Sequence, residues 1–304
     1  EKFGKFPLFN FWGPNANIVS SRWIANAAMY VEEKHQPTLN LFYLPHLDYC
    51  LQKFGPDQEQ IKNELLEIDS LVKELVEFFE GRGIEVVILS EYGIAAVDQP
   101  VHINRALRKA GLLGIRIERG LELLDAAASD AFAVSDHQIA HVYCKTKAIE
   151  TKVKNLLTNL DGVDKVLDKE QQKAYGMDHE RSGDLLVLAK RNAWFTYYFW
   201  EDDAKAPDYA RMVDIHKKPG YDPVEMFMSS KSRAIFKLLL KKIGFRAVLD
   251  ITPLDANLVK GSHGIVDVER QYYPIWISKD KFEESLEPTA IKEIILNKLF
   301  ETDN

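Results

Sequence analysis

YLPHLDYCLQKFGP, residues 43–56, decides how the chain is read. It closes a continuous apolar run, LNLFYL at 39–44, and such a run reads as a strand buried on both faces of a parallel sheet. The run breaks abruptly into a polar cluster of His46, Asp48 and Gln52. In open α/β sheets the ligand sits beyond the carboxyl ends of the strands, and this spacing puts Asp48 there. A second run, IEVVILSEYGI, repeats the design, with strand residues at 86–89 followed by Ser90, Glu91, Tyr92 and Gly93; the glycine lets the backbone turn. Between the two lies QEQIKNELLEIDSLVKELVEFFEGRG, in which Ile61, Leu65, Ile68, Leu71, Leu75 and Phe78 recur three or four apart. That is an amphipathic helix stopped at Gly81 or Gly83. Strand, helix, strand forms a crossover unit and implies a parallel sheet.

These strand ends resemble those of the type I phosphodiesterase/nucleotide pyrophosphatase branch of the alkaline phosphatase superfamily. In that family one strand ends in an Asp, with a metal-ligating His four residues on and then Gly-Pro; the next strand ends in Ser-Asp-His-Gly; and a late Gly-x-His-Gly supplies a last ligand. The matching positions here are Asp48, Gln52 and Gly55-Pro56, then Ser90-Glu91-Tyr92-Gly93, then Gly261-Ser262-His263-Gly264. The three motifs come in the right order and span most of the chain. Gln52 and Tyr92 each stand where the family has an imidazole.

The resemblance implies an α/β fold: an alkaline phosphatase-like, mostly parallel sheet flanked by helices on both faces, with a smaller α+β cap insertion. The expected division is 1–114 for the first part of the core, 115–205 for the cap and 206–304 for the returning core. It also implies a hydrolase of phosphate esters using divalent metal ions, two of them, with zinc the first choice and manganese or iron the others. The family's nucleophilic Thr or Ser lies well before the first motif. The catalytic nucleophile is therefore expected upstream of this chain, which then reads as the later part of a longer enzyme. Two alternatives stay open: a noncatalytic relative that binds a phosphorylated ligand at a degenerate metal site, and a phosphonate or sulfate ester hydrolase on the same platform.

Composition narrows the partners. The 304 residues are 46% hydrophobic and carry a net charge of −7, so a large core is available. A nucleic-acid polymer is not expected without a basic face. A small phosphorylated substrate held by metals is compatible, because the ions supply positive charge locally. Cys50 and Cys144 show neither disulfide nor zinc-ribbon spacing, which favours a reducing, cytoplasmic compartment. No run approaches the ~18 to 20 apolar residues of a membrane span.

The rest of the chain supplies further elements. The aromatic stretch 6–12 reads as a strand, and SSRWIANAAMYVEEK as a helix capped by Ser20 or Ser21. HINRALRKAG is a short helix stopped at Gly111. AFAVSDHQIAHVYCK holds strand pieces with His137 and His141, and IETKVKNLLTNLDGVDKVLD is a helix, turn and strand. SGDLLVLAKRNAWFTYYFW gives a strand, a turn and an aromatic strand. The Gly/Pro-punctuated loop VDIHKKPGYDP carries Asp214 and His216, whose side chains share a side if the segment is extended. A basic helix, KSRAIFKLLLKKIG, is followed by the strand FRAVLDITPL, the edge strand YYPIWIS and a closing helix, TAIKEIILNKLFE.

Phosphoryl transfer asks for positioned positive charge more than for elaborate acid–base chemistry, and two ions roughly 4 Å apart can supply it. Carboxylates and neutral imidazoles are the ligands such ions take. The expected metal set is Asp48, Glu91, Asp214, His216 and His263. The expected substrate contacts are Gln52, Tyr92 through its hydroxyl, His46 and His137. His46, two residues before Asp48 and on its side of an extended chain, is placed to take over the lost imidazole role. His137, beside Asp136, is either a satisfied polar pair in the cap or a contact to substrate.

Overall fold

The computed structural model describes residues 2–280 and 285–300. Leu8–Phe11 (α1) is one helical turn where a strand was expected. Phe6 packs on Phe11 and Trp23 with ring centroids 5.4 and 5.2 Å apart; an extended chain would hold residues 6 and 11 roughly 16 Å apart. Ile18–His35 (α2) is capped by Asn17, whose side chain accepts the Val19 N–H, while Ser20 and Ser21 are buried within the helix.

The next difference reorganises the site. Residues 39–44 carry no strand, and the polar cluster is itself a helix, His46–Phe54 (α3). Phe42, Leu44 and Leu47 pack on the cluster formed by α2 and the long helix Glu59–Glu80 (α4), whereas Leu41 is 83% exposed. The run is thus half-buried and alternating, not buried on both faces. The predicted stripe on α4 is present at Ile61, Ile68, Leu71 and Leu75, with Phe79 fully buried beside them and Leu65 facing outward.

Short strands follow: Ile88–Leu89 (β1), Ala95–Ala96 (β2) and Gln99–Val101 (β3). Ile103–Lys109 (α5) leads through Gly111, at φ 71°, into the hairpin Gly114–Glu118 (β4) and Leu121–Asp125 (β5). Ala131–Asp136 (β6), Ile139–Cys144 (β7), Lys147–Thr158 (α6), Val163–Asp168 (β8), Lys169–Gln172 (α7) and Leu185–Ala189 (β9) form the largest sheet, in the order β6-β7-β9-β8 with every neighbour antiparallel. β7 and β8 therefore run parallel with β9 between them and α6 as their crossover, a split βαβ unit. One face of this sheet joins the main core through Ala133, Val142, Leu185 and Val187, with Val153 and Leu157 of α6. The other buries Leu167, Leu186 and Leu188 beneath Tyr175 and Met177.

Ala193–Phe195 (β10) pairs parallel with β3. It opens the most deeply buried stretch of the chain, in which Trp194, Phe195, Tyr197, Tyr198, Phe199 and Trp200 are each at most 1% exposed. Lys231–Lys242 (α8) and Ile291–Phe300 (α9) match the two predicted late helices; the last residue of the predicted closing helix lies outside the described residues. Gly261–Ser262 (β11) pairs with β2 and Trp276–Ile277 (β12) with β1, both antiparallel. The class is α/β, yet among the described residues the pairing is mostly antiparallel. The expected strand at 245–254 explains part of the difference: the Ile251 carbonyl accepts from Ser229 N–H and Thr252 N–H donates to Arg211, so its backbone bonds to loops instead of to a neighbouring strand. No helix among the described residues is long and apolar enough to cross a membrane.

The buried aromatic stretch fixes a histidine in its neutral form. His102 Nδ1 lies 2.7 Å from Thr196 Oγ1 and the ring stacks on Tyr198. Burial, and then the nearby Arg105 charge, lower its pKa to about 4. A depressed imidazole stabilises the fold above the unfolded value of about 6.5, and that contribution is lost as pH falls toward 4; the shift corresponds to on the order of 3 kcal/mol. His102→Gln should flatten the loss of unfolding free energy between pH 6.5 and 4.5 in urea titrations. An unchanged slope would show that His102 is not the group being titrated.

Candidate active site

Two glycine-bearing loops, a tight β-turn and one helix make the site. Asp48 and Gln52 lie at i and i+4 on α3, which places them on one face. The Gln52 amide donates to both Asp48 oxygens at 3.0 Å. The helix is held against the late loop by the Lys260 N–H, which donates to the Gln52 carbonyl at 2.9 Å. Gly261 is required at that contact, because a Cβ there would collide with the Leu51 carbonyl oxygen. Gly93 has the same role on the second loop, where a Cβ would strike the Tyr272 carbonyl. These two close approaches bring Tyr92 flat against His263, with ring centroids 3.6 Å apart and planes 9° from parallel.

The stack continues. His263 lies 3.8 Å from the His137 ring, His137 lies 4.2 Å from Tyr221, and Tyr221 packs on Trp12. His137 comes from the two-residue turn between β6 and β7 and sits in the left-handed region at φ 56°. Glycine is the usual residue at that conformation, and a histidine there stores on the order of 1 kcal/mol or more of strain. The Phe195 N–H donates to the His137 carbonyl at 2.7 Å and the Gln138 N–H donates to the His263 carbonyl at 2.9 Å, so the turn is held in place at the site. Asp136 reaches within 3.6 Å of the His137 ring, but its carboxylate is mostly exposed to solvent and does not charge the imidazole.

The electrostatics follow from burial. Burial pushes the Asp48 carboxyl up to about 6, while hydrogen bonds from Gln52 and Tyr92 hold it down and the Glu91 charge adds to the rise. Burial lowers His263 to about 4 and takes His137 well below the usual histidine range, with His263 contributing to the latter. Tyr92 and Tyr221 are raised by burial first and by Asp48 next, so both phenols stay protonated. At neutral pH the site therefore holds one carboxylate, two uncharged imidazoles and a set of hydroxyl donors.

The candidates fall into three groups. Asp48, Gln52, Tyr92, His137 and His263 come together, with the exposed Glu91 at their edge. Asp214 and His216 stand apart: Asp214 pairs with Lys217 at 3.1 Å, its N–H donates to Glu225 at 2.9 Å, and His216 is exposed. Their loop is pinned by a buried cluster in which Lys218 lies 2.7 Å from Asp222 and 2.6 Å from Glu225. His46 faces away from Asp48, its Nε2 2.6 Å from Glu64 Oε2, because residues two apart on a helix point to nearly opposite sides. That overturns the placement expected from an extended chain. Asp48 in the first helical turn and Pro45 just ahead of it were the signals for a helix. Tyr43, whose hydroxyl hydrogen-bonds with that of Tyr92, and Tyr221 were not anticipated; nothing in their spacing marks them.

Fit to a metal ion is partial. The His263 Nε2 is buried without a partner, and Asp48 offers a carboxylate beside the tyrosine that stacks on that imidazole. This pair suits one divalent cation, with Glu91 close enough for its charge to reach Asp48. A two-ion set is not reproduced. Among the described residues, Asp48, Glu91, Asp214, His216 and His263 form no group of three ligand atoms within 4.8 Å of one another. Gln52→Leu removes the amide that donates to both Asp48 oxygens, at similar volume, and should move the carboxyl further above about 6. Carbon-13 titration of labelled aspartate reads this directly, and an unmoved midpoint would mean the contact is absent.

Comparison with known proteins places the fold. The sequence profile of the family described as type I phosphodiesterase / nucleotide pyrophosphatase matches residues 5–222. A Schizosaccharomyces pombe protein, an uncharacterized pyrophosphatase/phosphodiesterase, is 34% identical over 79 residues, which are 25% of this chain and 16% of that protein. The murine ectonucleotide pyrophosphatase/phosphodiesterase 5 structure in complex with AMP superposes with a TM-score of 0.53 and 12% identity, covering 90% of this chain and 57% of that one. The human protein gives 0.54 and 12%, covering 92% and 59%. The alkaline phosphatase-like α/β fold is shared with these structures, and this chain spans less than two thirds of their length.

Proposed function

This chain belongs to the type I phosphodiesterase / nucleotide pyrophosphatase family, and we propose that it serves in a hydrolase of phosphate esters that depends on a divalent metal ion, zinc first among the choices. The observation that carries the reading is that a partly buried carboxylate, Asp48, and an unpartnered buried imidazole nitrogen, His263 Nε2, both meet Tyr92, the first at its hydroxyl and the second through its ring. Asp48 and His263 would hold the ion. Bound there, it would supply the positive charge that phosphoryl oxygens require.

The chain's own groups prepare that site. Gln52 orients the Asp48 carboxylate through both of its oxygens. Stacking on Tyr92 and His137 fixes the plane of the His263 ring, and its low pKa keeps the ring uncharged at neutral pH, with one nitrogen free of a proton. The Tyr92 hydroxyl, protonated throughout the physiological range, is a donor for a phosphate oxygen. In this proposal residues 115–205 are the cap, and His137 is its contribution to the substrate side; a small phosphorylated molecule, not a polymer, is the ligand class. A cytoplasmic setting is part of the same proposal, supported by the free thiols of Cys50 and Cys144.

One observation favours a second reading. The Gln52 amide already engages both Asp48 oxygens, which satisfies the carboxylate without a metal, as a noncatalytic relative with a degenerate metal site would. Kinetics of the full-length protein on a chromogenic phosphodiester separate the two. The first reading expects metal-dependent turnover that drops about 100-fold or more in Asp48→Asn and in His263→Ala, as losing several kcal/mol of charge stabilisation requires. Turnover that survives both changes contradicts it, and ligand binding without turnover across zinc, manganese and iron selects the second.

A further inference from the structure

The face of α3 opposite Asp48 carries its own constellation. His46 and Cys50 are one helical turn apart, and Glu64 of α4 faces both; one ligand atom from each lies within 4.8 Å of the others. Among the described residues no other such group of His, Cys, Asp and Glu forms. His46 is 1% exposed and Cys50 6%, while the Glu64 side chain reaches solvent at 28%. His46 Nε2 is already engaged with Glu64, and its other ring nitrogen, Nδ1, is buried with no partner at all. The Cys50 thiol also hydrogen-bonds to Glu64. A structural hydrogen bond between two helices accounts for the histidine and the carboxylate. It does not account for an imidazole nitrogen buried unpaired beside a thiol that shares the same carboxylate.

We propose that His46, Cys50 and Glu64 form a zinc site that ties α3 to α4, separate from the centre at Asp48 and His263. Thiolate, imidazole and carboxylate are all zinc ligands, and three protein ligands leave one tetrahedral position for water. Glu64 is the exposed member of the three, so that position opens on its side. A thiolate disfavours magnesium and calcium, and a carboxylate disfavours copper(I). Zinc–ligand bonds of about 2.0 to 2.3 Å set ligand atoms roughly 3.4 Å apart at a tetrahedral angle. The 2.6 Å contact between His46 and Glu64 therefore opens as the ion enters and Cys50 closes on it. The zinc–sulfur bond forms as the S–H bond breaks, and that proton leaves to water. The imidazole stays neutral, its single proton on whichever nitrogen does not bind the metal. Because Asp48 and Gln52 ride on the same two turns of helix, a loaded ion would also fix the orientation of the face they share.

Cobalt(II) tests this on the metal-free, full-length protein. It should produce a thiolate-to-cobalt charge-transfer band together with tetrahedral visible absorption, and zinc should bleach the thiolate band as it displaces cobalt from this site. Cys50→Ser should abolish the band. Glu64→Gln, at a partly exposed position that the fold tolerates, should weaken zinc binding beyond the roughly 10- to 100-fold that changes around a metal's ligands already cost. Asp48→Asn should leave the band in place. In the Asp48→Asn background, which removes a ligand of the other centre, zinc should raise the melting temperature, and should no longer do so once Glu64→Gln is added, which keeps the test readable if Cys50→Ser does not fold. A thiolate band that depends on Cys144, no thiolate band at all, or zinc uptake unchanged by both variants would overturn the assignment.

Discussion

A carboxylate buried as deeply as that of Asp48 is tolerable because the Gln52 amide, one helical turn later, donates to both of its oxygens. Ionising a carboxyl away from water costs several kcal/mol unless donors replace the lost hydration. Here the replacement depends on helix geometry. Only the i, i+4 relation lets Gln52 lie over Asp48, and only the missing side chain of Gly261 lets α3 approach the loop that carries His263. The same turn sends His46 and Cys50 to the other side, against Glu64. One short helix thus divides its polar residues between two faces, and each face meets its own partner element.

Charge on the Asp48 face is sparse. Burial moves the carboxyl toward neutral pH and the imidazoles away from it, in opposite directions and for one reason, the cost of a charged form in a poorly hydrated place. What remains is a ladder of rings, Tyr92, His263, His137 and Tyr221, whose polar edges are uncharged donors or acceptors. Such a surface suits an anionic ligand once a cation joins it and repels the anion little before then. The strained turn at His137 belongs to this ladder, held by the backbone bonds that flank it.

The motif positions were legible because their chemistry is local: a glycine that must approach a carbonyl, and a histidine between glycines. Asp48, Tyr92 and His263 do meet. The long helices were legible as well, since the stripe of α4 is set by period alone. Two kinds of information were not. The run 39–44 has strand-like composition, but whether it pairs is decided by what lies beside it; here Phe42 and Leu44 dock on helices while Leu41 faces solvent. That single misreading carried His46 to the wrong side of its helix. Asp214 and His216 looked like a ligand pair by spacing, yet the buried ion cluster around Lys218 sets their loop and engages the backbone of Asp214 instead.

The direct test is crystallographic: the full-length protein grown with zinc or manganese, with anomalous scattering recorded on both sides of the metal's absorption edge. The account predicts a peak bonded to Asp48 and to His263 Nε2, with the Gln52 amide turned away from one carboxylate oxygen to admit the ion. A structure soaked in metal in which Gln52 still spans both oxygens and no peak lies at His263 would contradict it.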